Sequence, residues 1–168
     1  MMLILFEGRG IILTEKEIAS IVGAIVGKLP NDNIKLSQAN ALIKAVQDKA
    51  CEWGLKVVVA VSDKHTNPVS VQCMDDSYIA SYDIATNKAY TVTALKMPTT
   101  DLKKHAAPGG SLYGIQFTTP SKIVIFGGGV PLYDNNGNIV GGLGVSGASE
   151  EQDTALAEFG GKWFTENL

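Results

Sequence analysis

Residues 122–159 read KIVIFGGGVPLYDNNGNIVGGLGVSGASEEQDTALAEF, and their reading decides the fold. Two apolar runs, Ile123 to Tyr133 and Asn138 to Ser146, flank Asp134-Asn135-Asn136-Gly137. Asn136-Gly137 suits the two positive-φ positions of a type I′ turn, because both residues tolerate left-handed backbone. The stretch therefore predicts an antiparallel hairpin. Ser149 with Gln152 is a capping-box pattern, and Glu150, Glu151 and Asp153 put negative charge where a helix dipole is positive. A helix is expected to start at Glu150.

Upstream of this stretch the pattern alternates between helix and hairpin. Met1 to Leu13 holds two short apolar pieces, read either as an added edge strand or as an extension. Thr14 to Leu29 reads as an amphipathic helix: Thr14 and Glu17 form a capping box, and Ile18, Ile21, Val22, Ile25, Val26 and Leu29 recur at helical spacing. A second helix is expected from Ser37 to Trp53, with Ala41, Leu42, Ala45 and Val46 in register and Gly54 as its stop. Leu55 to Ser62 and Pro68 to Met74 predict two strands around a turn with His65 at its tip. A long helix is expected over Asp76 to Leu95, ended by Met97-Pro98, and a further helical turn over Asp101 to Ala106. Strands and helices in this segregated order imply an α+β fold, an antiparallel sheet with flanking helices, rather than a βαβ array. Residues 1–33 read as an N-terminal extension and 34–168 as one domain.

With 168 residues and 45% hydrophobic content the chain is long and apolar enough to bury one core. Its net charge of −3, with no basic run beyond Lys103-Lys104, gives no electrostatic footprint for nucleic acid. No stretch approaches the roughly 18 apolar residues of a membrane span, and no secretory signal is evident, so the cytoplasm is the expected location. Cys51 and Cys73 fit neither a CxxC nor a zinc pattern and are expected to be buried, reduced thiols.

Two motif-like strings dissolve on inspection. Gly142-Leu143-Gly144-Val145-Ser146-Gly147 satisfies GxGxxG, but its first glycines lie inside a strand and Glu150-Glu151 would repel a pyrophosphate. Ser146 lacks the final glycine of a nucleophile elbow, because Ala148 stands there. Gly127, Gly128 and Gly129 interrupt an apolar strand, and Gly141, Gly142 and Gly144 sit on its partner. Glycine there marks either tight helix packing on a bent sheet or a flat surface clear of side chains, on which a planar ligand or a subunit lies.

GGGVPLYDNNGNIVGGLGVSGASEEQD, together with IASYDIATNKAYTVTALKMPT (79–99) and PGGSLYGI (108–115), resembles the haem-degrading or haem-binding domain family. That family includes GlcG-like proteins, the streptomycete haem-binding sensor protein and the C-terminal domain of PduO. The matching segments run from Leu36 to Gly160. The resemblance implies a profilin-like, GlcG-like sheet of about five antiparallel strands with flanking helices. It also implies a tetrapyrrole ligand, haem or a corrinoid such as cobalamin, and a homo-oligomer.

Haem or a corrinoid asks for an axial ligand from His, Cys, Met or Tyr. His105 is the preferred candidate metal ligand, since it precedes Pro108-Gly109-Gly110 and follows Lys103-Lys104, whose charges suit haem propionates. His65 and Met97 are the other candidates, and the axial ligand stays open among them. Lys88, in DIATNKAYT, matches a position associated with the family, and Gly128 and Gly129 are read as a surface for the macrocycle. No catalytic dyad, metal triad or nucleophile stands out, so a binding module is favoured over a haem-degrading or small-molecule enzyme, with an assembly role as the third reading. The helix over residues 14–29 resembles peptides that direct cargo into bacterial microcompartments. The alternative is a helix that packs on the domain or on a partner subunit.

Overall fold

The computed structural model describes residues 13–26, 33–120 and 122–167. The chain divides into two units, residues 1–31 and 32–168. The described part of the first is helix α1 (Glu15–Val26). Its capping box forms as the sequence implies: Thr14 N donates to Glu17 Oε2 at 2.9 Å, and Glu17 N to Thr14 Oγ1 at 3.3 Å. Leu29 and the apolar pieces before Leu13 lie outside the described residues.

The second unit runs α2 (Leu36–Glu52), β1 (Val58–Asp63), β2 (Pro68–Cys73), α3 (Ser81–Leu95), α4 (Thr99–Ala106), a 3₁₀ turn (Ile115–Phe117), β3 (Gly129–Tyr133), β4 (Ile139–Ser146) and α5 (Glu150–Asn167). The α+β class stands. Among the described residues the sheet has four strands rather than about five, in the order β2-β1-β4-β3, with every pair antiparallel.

The sheet separates two unlike layers. Val57, Val59, Val61, Leu132, Leu143 and Val145 point one way and meet Leu42, Ile43 and Val46 of α2 and Leu156, Ala157 and Phe164 of α5 in the main core. The other face is small at its centre, with Ala60 opposite Gly144 and Ser62 opposite Gly142, is flanked by Val58 and Val71, and carries α3 through Ala85 and Ala89. The period of two along each strand assigns the bulky and small residues to opposite faces. A Cβ at Gly144 would fall 2.1 Å from the Ala85 carbonyl oxygen, and one at Gly142 would fall 2.6 Å from that of Ala89. The glycines of the hairpin thus admit a helix to near backbone contact.

Both hairpin turns share one construction. Asp134 N donates to Asn138 O at 2.9 Å and Gly137 N to Asp134 O at 3.0 Å, while Asp134 Oδ1 accepts from the backbone of Asn136 and Asn138. In the other turn Asp63 stands for Asp134, Asn67 for Asn138, and Thr66 at φ 72° for Gly137 at φ 81°. The expected type I′ geometry is corrected by this arrangement: of Asn136 and Gly137 only the glycine has positive φ. The aspartate carboxylate, by taking two backbone N–H groups, selects a longer loop with a single left-handed residue, and a register shift follows at Leu132/Tyr133.

Three further expectations are revised. The first hairpin strand begins at Gly129, not Ile123, because Thr91 Oγ1 takes the backbone N–H of Val124 and donates to Lys122 O, tying that segment to α3. Helix α3 begins at Ser81, not Asp76, whose φ of 64° is incompatible with a right-handed helix. Cys51 and Cys73 are free, as expected, but exposed: Cys51 follows the last buried position of α2, Ala50, and Cys73 ends the edge strand β2.

Candidate functional site

Three connections meet at the end of the sheet where β4 finishes: the β2–α3 loop, the α4–β3 loop and the short β4–α5 junction. The lysine at the centre of α3 organises them. Ala85, Lys88, Ala89 and Val92 follow helical spacing on the face pressed to the sheet, so Lys88 is carried inside and is fully buried. Its Nζ donates to Val145 O at 2.7 Å and to Asp153 Oδ2 at 3.0 Å, and it lies 5.0 Å from the centre of the Phe126 ring. Asp153, in the first turn of α5, accepts at its other oxygen from Ala148 N at 3.0 Å. Burial pushes the Lys88 amine down and the Asp153 carboxyl up from their ordinary values, and in each case the partner's charge opposes the shift.

The amine reaches this position because Gly128 has no side chain. At φ 105° a Cβ there would stand 2.6 Å from Lys88 Nζ and 2.8 Å from Val145 O. Gly129 is likewise buried, its missing Cβ facing Thr99 and Val92 at 2.9 Å. Lys88, expected as a cofactor-binding residue, thus points inward to the chain's own groups, and the space beside Gly128 and Gly129 is filled by the chain's own atoms.

Glu150 joins a second set of contacts. Its Oε1 accepts from Gly127 N at 2.8 Å, and its Oε2 pairs with Lys103 Nζ at 2.7 Å, linking α4 to the start of α5. The Lys103 hydrogen bond and then the Gly127 N–H hold the Glu150 carboxyl below the ordinary glutamate value of 4.5. A carboxylate held low stabilises the fold above that ordinary value and loses the contribution as pH falls through the folded one. Urea midpoints measured from pH 7 downward should therefore fall more steeply for the wild type than for Glu150→Gln. Parallel curves would show that this carboxylate is not coupled to folding.

Glu150 also forms a wall between two depressions. One, of about 330 Å³, is lined by Tyr78, Ser81, Phe126, Ser146 and Asp153 among others. The second, of about 370 Å³, lies against Thr100, Lys103 and Thr154.

His105 is exposed on α4, its Nδ1 3.5 Å from Ser111 Oγ, and its carbonyl accepts from Leu112 N at 2.9 Å. The loop that follows leaves Tyr113 67% and Phe117 84% exposed, with Leu112 beside them in sequence. Lys104 pairs with Asp101 at 2.7 Å. Met97 is half-buried just after Lys96, whose left-handed backbone closes α3. His65 is exposed in the β1–β2 turn. Since Asp63 lies opposite Gly141 and Val58 opposite Ser146, that turn stands at the end of the sheet remote from the β4–α5 junction. The structure therefore gathers Lys88 with Gly128 and Asp153, sets Lys103 and His105 on α4, and leaves His65 apart. Among the described residues no three His, Cys, Asp or Glu side chains converge as a metal site.

The donor set suits a haem in kind: an exposed imidazole, apolar surface in Leu112, Tyr113 and Phe117, and two lysines whose exposed ion pairs a propionate could replace. Sequence reasoning missed Ser81, Glu150 and Asp153 as site residues. A signal existed for the buried lysine, which stands in the 85/89/92 stripe of α3, but none for its partner, 65 residues away.

The sequence profile of the HbpS-like family, described as haem-degrading proteins, matches residues 34–161. A 15.0 kDa protein encoded in the dhaT-dhaS intergenic region of Citrobacter freundii is 45% identical over 125 residues, covering 74% of this chain and 87% of that protein. The corrinoid adenosyltransferase PduO of Salmonella typhimurium is 37% identical over 117 residues, covering 70% of this chain and 34% of that protein, so the chain spans about a third of it. Among solved structures, the PduOC:haem complex superposes with a TM-score of 0.74 at 33% identity, covering 77% of this chain and 94% of that one.

Proposed function

The chain belongs to the HbpS-like family, and on that footing we propose that it is a haem-binding module of the PduO C-terminal type. The observation that carries this reading is the likeness to a chain solved with haem, over 94% of that chain's length. When bound, haem supplies an iron that takes axial ligands and changes redox state. The residues of this chain then have separate tasks. His105 would ligate the iron, with Met97 as the alternative, while His65, set apart in the β1–β2 turn, would serve only a separate site. Leu112, Tyr113 and Phe117 cover the macrocycle, and Lys103 and Lys104 hold the propionates. Lys88, Gly128 and Gly129 support the site from within by fixing the α4–β3 connection. Cobalamin is the second candidate ligand, favoured by the corrinoid chemistry of PduO, although adenosyl transfer belongs to a longer protein, of which the matching segment covers 34%.

Titration of the purified chain with haemin should give a saturable, stoichiometric Soret shift. Loss of the axial ligand in His105→Ala should weaken binding by about tenfold or more, the equivalent of 1.4 kcal/mol. Absence of saturable change with the wild type would overturn the reading. Unchanged affinity in His105→Ala would move the ligand to Met97, or the haem itself to a separate site at His65. The family's description as haem-degrading favours one variation, in which bound haem is consumed. Adding a reductant separates the two, since capture leaves a stable Soret band and degradation bleaches it.

The wider setting is part of the same proposal: a cytoplasmic homo-oligomer, linked to corrinoid or propanediol metabolism and directed to a microcompartment shell by residues 14–29. Among the described residues no helix is long and apolar enough to cross a membrane. Fusing residues 1–33 to a reporter in a shell-forming host tests the targeting, and diffuse signal would sink it.

A further inference from the structure

We propose that the cleft beside the Lys88–Asp153 pair is a second, separate binding site, built for a small uncharged polyhydroxy compound. The inference starts from two buried hydroxyls in its lining. Ser146 Oγ donates to Ser81 Oγ at 3.2 Å, and the two residues are 5% and 3% exposed. Among the described contacts the hydroxyl hydrogen of Ser81 has no acceptor, and Ser81 lines the cleft. An unspent buried donor carries a desolvation cost that a ligand oxygen removes.

The charges around the cleft select the kind of ligand. Asp153 and Glu150 both line it, and each carboxylate is countered, by Lys88 and by Lys103. An anion would meet two carboxylates and no uncommitted cation. A cation would meet carboxylates already neutralised. An uncharged molecule avoids both penalties. A carboxylate has about four lone-pair sites. Glu150 has two occupied by the partners described, Gly127 N and Lys103, and so keeps acceptor capacity for ligand hydroxyl groups.

The cleft thus offers a donor at Ser81, acceptors at the acidic wall, and aromatic surface at Phe126 and Tyr78, which are 39% and 72% exposed. A hydroxyl group is the functional group that both donates and accepts, and a short carbon chain bearing several of them matches this pattern. At about 330 Å³ the cleft lies at the small end of ligand pockets, which run from about 300 Å³. None of its lining residues belongs to the His105 loop, and the two sites share only the Lys103–Glu150 ion pair, so the glycerol titration is run without haem and reads the cleft by itself.

The test uses the full chain, isotope-labelled, titrated with glycerol in solution NMR. Saturable shifts at the amides of Ser81, Ser146 and Ala148 are expected, together with intermolecular NOEs from glycerol C–H groups to the Phe126 ring. Ser81→Ala should weaken the affinity several-fold. Shifts that grow linearly without saturation, or equal affinity in Ser81→Ala, would overturn the proposal. Should that variant fail to fold, the wild-type NOEs decide alone: contacts only to other surfaces refute the site. Acetate or ammonium binding more tightly than glycerol would also refute it, through the charge argument.

Discussion

Asp153→Ala is expected to destabilise the protein by about 3–5 kcal/mol, the cost of leaving a buried charge without its partner. Lys88 is fully buried and, among the described residues, is left with Val145 O, the Phe126 ring and the more distant charge of Glu150 when the carboxylate is removed. Ala148 N loses its acceptor at the same time. Against a total stability of about 5–15 kcal/mol for an ordinary domain, that loss brings the fold close to its threshold. Replacing both partners, as Lys88→Met with Asp153→Leu, should recover much of it, because apolar side chains of similar volume carry no desolvation cost. Urea denaturation of the three proteins is the measurement. A single-variant cost below about 1 kcal/mol would mean that the amine finds solvent, contrary to its complete burial.

Gly144→Ala is the second large effect, at about 3 kcal/mol, the upper part of the range for overpacking. The added carbon would stand 2.1 Å from Ala85 O and 2.7 Å from Ala89 N. Both are main-chain atoms of α3, so no side chain can turn aside and the helix itself has to lift from the sheet. Gly137→Ala is the informative contrast. Its Cβ would meet nothing within 4 Å, but the backbone sits at φ 81°, so only the left-handed penalty of about 1–2 kcal/mol applies. The order of the two costs in thermal or urea unfolding tests whether the hairpin glycines serve close packing or turn geometry. A cost at position 144 no greater than that at 137 would refute the packing role.

What was legible in the sequence was local. The capping box at Ser149 and Gln152 forms, with Gln152 N donating to Ser149 Oγ at 3.3 Å, and the glycine stop of α2 falls at Gly54, φ 67°. Those signals lie within three or four residues of one another. Illegible features came from partners far apart in the chain. Ile123 to Ile125 carry β-branched residues, yet Thr91 captures their backbone and keeps them out of the sheet. The turn at Asn136-Gly137 departs from the type I′ pattern because the deciding group is a side chain, the Asp134 carboxylate. Ser146 stands in a local pattern that lacks the last glycine of a nucleophile elbow, but its hydroxyl contact with Ser81, 65 positions upstream, leaves no local signal. On α4, spacing alone placed His105 beside the lysines, whereas the fold engages those lysines with Glu150 and Asp101.

The two Asp-headed turns lie together at one end of the sheet, and the cleft lies at the other. A short tether inserted between Asn135 and Asn136, at an exposed loop tip of the kind that tolerates insertion, would fasten every molecule to a sensor chip in one orientation. The cleft would then face the flowing solution. Haemin and glycerol could be injected over one uniformly presented surface, without the spread of affinities that random attachment through surface lysines produces.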